Sequence, residues 1–269
     1  MAWQSLIDFL LPAGCVTCRR WIPGGETLQR APILVCFRCR TRLRSGSWPR
    51  CRRCHAPRGT GREVGGGTGA EGCLECRTWL PALSAARYAY TLVSPASDLV
   101  HALKYEGWRE LADFMGGRMA AAALAPEPEA HPSTAWSAFA AAAVIVAVPT
   151  TARRQRSRGY NQAALLADVV AARLGRPVAH RALARTTAGA SQTTLSPQRR
   201  RENVRGAFAG GAEASRVRAR AVILVDDVLT TGATALAAAT ALTVAGAGEV
   251  RLLTFGRALP GRDFSEEAA

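Results

Sequence analysis

The run Val222 to Thr234, VILVDDVLTTGAT, constrains the fold of this chain more than any other stretch. Four apolar residues in succession predict a strand buried on both faces, as in a parallel sheet covered by helices. Two acids follow at the carboxyl end of that strand, where open α/β sheets bind ligands. A turn of small and hydroxyl residues then opens an Ala-rich helix over 232–245, which Gly246 ends. Asp226 and Asp227 therefore face whatever binds at the strand end. Thr230, Thr231, Gly232, Ala233 and Thr234 offer backbone N–H groups and hydroxyls to an anion at a helix N-terminus. Gly232 permits close approach of the backbone. The run contains neither G-x-x-x-x-G-K nor G-x-G-x-x-G, which separates it from Walker and dinucleotide loops.

The surrounding pattern extends the sheet. SAARYAYTLV (84–93) reads as a strand or hairpin, and a helix after Pro95 puts Leu99, Val100 and Leu103 on one face. Residues 109–125 read as a second helix and 126–137 as a surface loop. AVIVAVP (143–149) is a second buried strand, followed by a helix from about Asn161 to Leu174 that Gly175 ends. PVAHRAL (177–183) and EVRLLTFG (249–256) read as further strands. Strands alternating with helices of this length predict βαβ units, so the fold class is α/β, a parallel sheet with flanking helices, over residues 81–262.

Residues 1–80 have a different character. All eight cysteines stand there, in four Cys-x-x-Cys pairs: Cys15/Cys18, Cys36/Cys39, Cys51/Cys54 and Cys73/Cys76. Two thiolates at this spacing can both bind one tetrahedral ion from a tight turn, so four pairs supply two four-cysteine zinc sites. The gaps of 17, 11 and 18 residues fit two successive ribbons, Cys15–Cys39 and Cys51–Cys76. An interleaved pairing is compatible with the same spacing. Ligand spacing and the lack of a secretion-type start argue against disulfides. A closed four-cysteine site is structural. Met1 to Pro12 lacks a basic leading region and carries Asp8, so it reads as an amphipathic helix and not a signal. With no apolar run long enough to span a bilayer, the chain is expected to be cytoplasmic, without membrane insertion.

Residues 150–206 hold 12 basic and 2 acidic side chains, and residues 1–80 hold 13 and 5. Basic blocks imply anionic partners. All-thiolate zinc centres, at a formal charge of about −2 each, offset part of the N-terminal excess. Arginines such as those of CRRC (51–54) can neutralise the thiolate clusters there. In the second block the arginine forks suit phosphate oxygens. Lys104 is the only lysine beside 34 arginines, which fits a compact point charge near a phosphate. Asn161 serves equally as a ligand or as a helix N-cap.

VILVDDVLTTGAT resembles the phosphate-binding signature of type I phosphoribosyltransferases. RQRSRGYNQ (154–162), LKYEG (103–107), Gln192–Leu195–Ser196, Arg200–Asn203 and GAF (206–208) are similar to segments of the ComF family, and the knuckles resemble its double zinc ribbon. The resemblance covers nearly the whole chain. It implies a type I phosphoribosyltransferase-like sheet that binds phosphoribosyl pyrophosphate (PRPP) with Mg²⁺. Asp226 and Asp227 would be the catalytic acids on ribose and metal, Thr230 to Thr234 would hold the 5-phosphate, and Arg158 and Gly159 would meet the pyrophosphate. Arg199, Arg200, Arg201, Asn203 and Arg205 would lie on a hood over the site, or on a solvated helix face. It also implies a role in natural competence and uptake of transforming DNA, in a family not generally assigned a transferase substrate.

Two other functions compete with transfer of a phosphoribosyl group. One is a non-enzymatic factor that grips single-stranded DNA, with Tyr160 and Trp48 as the aromatics placed for stacking. The other is a zinc-ribbon adaptor that docks a competence helicase.

Overall fold

The computed structural model describes residues 14–22, 34–46, 49–57, 73, 75–126, 135–186 and 206–259. The expected first helix, the Gly-rich stretch 58–72, Trp48 and the segment carrying Gln192 to Arg205 lie outside the described residues.

The sheet has four parallel strands in the order β1-β6-β5-β2. These are β1 (Ala85–Thr91), β2 (Val144–Ala147), β5 (Ala221–Leu229) and β6 (Glu249–Arg257). Val222 to Val225 are all buried, as a central strand covered on both faces requires. Helices α3 (Leu111–Leu124) and α6 (Gln162–Leu174) pack on each other and on the strands. Helix α7 (Ala233–Val244) packs on β5 and β6 from the other side and meets β4 (Phe208–Gly210). β4 pairs antiparallel with β3 (Leu183–Arg185).

Several expectations change. The 84–93 stretch is one strand, not a hairpin, and pairs parallel with β6. Of the expected 126–137 loop, residues 127–134 lie outside the described residues, and its end belongs to helix α4 (Trp136–Ala142), whose Trp136 and Phe139 are buried. Of 177–183, Val178 joins the four-stranded sheet as a bridge to Ile145, and Leu183 begins β3 of the two-stranded ladder. β5 runs on through both acids, because Asp226, Val228 and Leu229 stay in register with Thr254, Gly256 and Arg257 of β6.

A further difference lies at 149–162, between the second buried strand and the helix from about Asn161, where the sequence pattern gives no element. The stretch contains helix α5 (Ala152–Arg158). The Thr151 side chain accepts the Arg154 N–H at 3.2 Å, and Gly159 ends the helix at φ 78°. That cap pair and arginine's good helix propensity favour the helix, which has no buried face of its own.

β1 carries a buried charge. The Arg87 guanidinium donates to the carbonyls of Ala122, Ala123 and Ala125. Those carbonyls end α3, so the cation satisfies unpaired acceptors at the negative end of a helix.

Candidate functional site

The site forms where β5 ends. Asp227 is buried, and its Oδ2 lies 3.0 Å from Lys104 Nζ of α2 (Ala96–Tyr105). Asp226 is half-buried and accepts the Asp227 N–H on Oδ1 at 2.9 Å. Burial, then the neighbouring Asp227 charge, push the Asp226 carboxyl up to about 8. The lysine thus answers one acid and leaves the other poorly compensated.

Beyond Leu229 the chain turns through Thr230 and Thr231 to Gly232, which caps α7 at φ 82°. No side chain caps that helix, so its first N–H groups face the turn without an intrahelical partner. The left-handed backbone favours glycine here, and a Cβ would also crowd the Trp79 indole edge at 3.3 Å.

A polar cavity of about 500 Å³ opens at this point. Lys104, Arg154, Arg158, Arg185, Asp226, Asp227, Thr230 and Thr234 line it. An adjoining cavity of about 520 Å³ shares Lys104, Tyr105, Arg154 and Arg158 and adds Arg153. Arg158 donates to Gln162 Oε1 at 3.0 Å and lies over the Tyr105 ring, 5.0 Å from its centroid. It is therefore held between two partners and presented to the cavity.

The structure thus brings Asp226, Asp227, Lys104, Thr230, Thr234 and Arg158 together. Thr231 and Ala233 instead line a larger, mostly apolar cavity of about 1040 Å³ across the turn, which Thr230 also borders. Gly159 lines none of these cavities; it ends α5, with Arg109 where a Cβ would go. Asn161 is the α6 N-cap, accepting the Ala163 N–H at 3.2 Å and donating to the Val148 carbonyl at 3.0 Å.

Tyr160 is not placed for stacking. Its ring is buried, its hydroxyl donates to the Leu103 carbonyl, and Arg109 covers a face. Arg185 was missed by sequence reasoning. The β3–β4 ladder carries it into the cavity, where burial and then Arg154 lower its guanidinium while Asp226 acts the other way.

The cysteines form two groups, Cys15, Cys18, Cys36, Cys39 and Cys51, Cys54, Cys73, Cys76, with sulfurs within 4.8 Å in each. This is the successive arrangement, not the interleaved one. Cys18 and Cys36 sulfurs are 3.8 Å apart, Cys51 and Cys76 3.7 Å, Cys54 and Cys73 3.5 Å. Sulfurs about 2.3 Å from one tetrahedral ion would be about 3.8 Å apart, so both groups fit a closed metal site. All eight thiols are free of disulfides. Crowding splits their acidities. Hydrogen bonds from Cys54 and its neighbours pull Cys51 down, while bonding to Cys51 pushes Cys54 and Cys76 up. Four thiolates here require a cation.

The CRRC arginines act differently from expectation in one respect. Arg53 donates to the carbonyls of Cys76, Trp79, Leu80 and Leu83, stapling the knuckles together. The buried guanidinium beside Cys54 comes from β6: Arg257 donates to the Cys54 carbonyl at 3.1 Å.

The fold and these groups define an α/β protein with a parallel sheet, flanking helices and two four-cysteine groups ahead of it. No protein-family model matches the chain. It is 29% identical over 235 residues to the DNA utilization protein YhgH of Escherichia coli (strain K12), spanning 84% of this chain and 97% of that protein. It is 35% identical over 114 residues to Competence protein F of Haemophilus influenzae, spanning 42% of this chain and half of that protein. Among solved structures, it resembles a glutamine phosphoribosylpyrophosphate amidotransferase from B. subtilis at 21% identity and a TM-score of 0.34, over 54% of this chain and about a quarter (26%) of the solved one. The chain is a homologue of the YhgH and Competence protein F proteins, as its resemblance to the ComF family implies. Among the described residues, no helix is long and apolar enough to cross a membrane.

Proposed function

We propose that this chain is a ComF-type phosphoribosyltransferase-like protein that binds PRPP or another ribose 5-phosphate group and acts in natural competence and uptake of transforming DNA. The observation that carries the reading is one cavity holding an acid pair, four cationic side chains and the uncapped start of α7. Such a set offers carboxylates to ribose hydroxyls and cations to phosphates. Thr230 and Thr234, with the N–H groups of the 230–234 turn, would hold the 5-phosphate. Asp226 and Asp227 would take the 2- and 3-hydroxyls. Arg158, Arg154 and Lys104 would meet the pyrophosphate.

Mg²⁺ would add charge stabilisation between Asp226, Asp227 and the pyrophosphate. The raised carboxyl of Asp226 suits that partner, because a cation would draw it back into its ionised form. Zinc in the two cysteine groups would be structural, within an N-terminal module of residues 1–80 that precedes an 81–262 ligand domain. In an enzymatic cycle, an acceptor bond to ribose C1 would form as the C1–O bond to pyrophosphate breaks. Positioning and charge would supply most of the rate.

The names of the homologues support the DNA-uptake role. A second reading, direct contact with single-stranded DNA, has one observation in its favour. Arg153, Arg154 and Arg156 of α5 are all exposed. It predicts binding that weakens steeply with salt.

The test compares thermal stabilisation by ribose 5-phosphate and by PRPP with Mg²⁺. Both should raise the melting temperature of the wild type. Arg158→Ala should lose the extra shift given by PRPP and keep that given by ribose 5-phosphate. Equal responses of variant and wild type would remove Arg158 from the site. No response to either ligand would overturn the reading.

A further inference from the structure

The second cysteine group reaches the anion turn by two routes. The fourth knuckle is closed by the N–H groups of Cys76 and Arg77, which donate to the Cys73 carbonyl. Three residues beyond Cys76, the Trp79 N–H donates to the Cys76 carbonyl, and Arg53 holds the Trp79 carbonyl. Trp79 is therefore fixed to the knuckle through its own backbone. Trp79 is buried, with 6% of its surface exposed, and its indole edge packs beside Gly232. The indole N–H is buried without an acceptor among the described residues. The indole is held by its surroundings, with the Arg53 guanidinium over its ring at 5.9 Å from the centroid.

The second route runs along the sheet. Leu229, the last residue of β5, pairs with Arg257, and the Ala258 N–H donates to the Leu229 carbonyl. Arg257 donates to the Cys54 carbonyl and lies 3.8 Å from Glu75. Cys54 and Glu75 both belong to the second group's knuckles. Among the described residues, the first group has no such contact with the turn. From its knuckles, Arg19 reaches Glu106 just beyond α2 in an exposed pair at 3.0 Å.

We propose that metal occupancy of Cys51, Cys54, Cys73 and Cys76 sets the shape of the Thr230–Thr234 turn through Trp79, which makes Trp79 a positioning residue for the bound anion. The part that concerns the anion rests on the reading of this turn as the phosphate site. The mechanical part does not. A turn at φ 82° has several backbone alternatives, and the indole edge removes those that would swing Gly232 toward the knuckle. With the ion gone, nothing ties the four sulfurs to one centre, the 75–79 segment loosens, and the turn loses its support. Linkage makes the effect reciprocal: an anion that favours the shaped turn must also favour the metal-bound knuckle.

The test is hydrogen exchange on the full metal-loaded chain. Peptides covering 228–236 report the turn, and peptides covering α6 serve as reference. Removing metal with a chelator should raise exchange at 228–236 by about ten-fold and leave α6 unchanged. Trp79→Ala, with metal content verified as unchanged, should give the same rise; Trp79→Phe, which keeps a ring edge, should give a smaller one. In parallel, ribose 5-phosphate should bind Trp79→Ala about ten-fold more weakly than wild type and should slow metal loss from wild type to the chelator. Wild-type exchange at the turn in metal-loaded Trp79→Ala would overturn the coupling, as would equal loosening of α6 and the turn on metal removal. If ribose 5-phosphate fails to bind wild type, the phosphate reading falls, while the exchange result still decides the coupling.

Discussion

Asp226 and Asp227 are neighbours on one strand, yet they should respond to the same substitution with opposite signs. Asp227 has Lys104 at 3.0 Å and a side-chain exposure of only 5%. Asp227→Asn leaves the lysine, itself 21% exposed, without its partner. Breaking a buried pair from one side costs about 3–5 kcal/mol, and the partial exposure of Lys104 brings the expectation to about 2 kcal/mol. Asp226 has no such partner, and its carboxyl is raised from 3.8 to about 8. At about 1.4 kcal/mol for each pH unit, its ionisation on unfolding at pH 7 sets a ceiling of about 4 kcal/mol. Its solvent contact and shared field with Asp227 reduce this to about 2 kcal/mol. Asp226→Asn keeps an oxygen to accept the Asp227 N–H and should therefore stabilise the ligand-free protein by that amount. Because the folded value lies above the unfolded one, the contribution of Asp226 to stability is complete below about pH 4 and is lost as pH rises toward 8. The gain from Asp226→Asn should grow over the same window. Urea midpoints at pH 5, 6, 7 and 8, with metal held constant, measure this. A destabilised Asp226→Asn at pH 7, or a gain that does not change with pH, would refute the reasoning.

Other consequences are direct. Gly232→Ala meets both a left-handed backbone and the Trp79 edge, so it should lower stability by about 1–3 kcal/mol in thermal melts. The wild-type chain should carry two zinc ions by elemental analysis, and Cys54→Ser should carry one while leaving the first group loaded. Arg87→Met should cost about 2–4 kcal/mol, because three carbonyls at the end of α3 lose a charged donor; a wild-type urea midpoint would contradict that assignment.

The central strand and the site turn were legible because their signals are local. Four apolar residues, two acids and a glycine at the start of a helix specify β5 and the entry to α7 without help from the rest of the chain. The cysteine ligand sets were legible for the same reason, although only the fold chose between successive and interleaved pairing. Local signals also explain the failures. Asp226 to Leu229 read as the end of a strand because acids are poor strand formers, and the register with Thr254–Arg257 imposes the extension. Helix α5 has no apolar face for periodicity to detect, since Ala152 to Ser157 are all exposed; Thr151 and Gly159 were its only marks. Arg185 and Trp79 reach the site through pairing and packing between distant segments, which no local pattern encodes.

The central claim is that the acid pair, the cations and the α7 turn form one phosphoribosyl site. Calorimetric titration of PRPP with Mg²⁺ into the zinc-loaded protein tests it most directly, with the Asp226→Asn/Asp227→Asn double variant beside it. The account predicts a saturable heat for wild type and its loss in the folded, metal-replete variant. No heat from wild type, or equal binding by the variant, would contradict it.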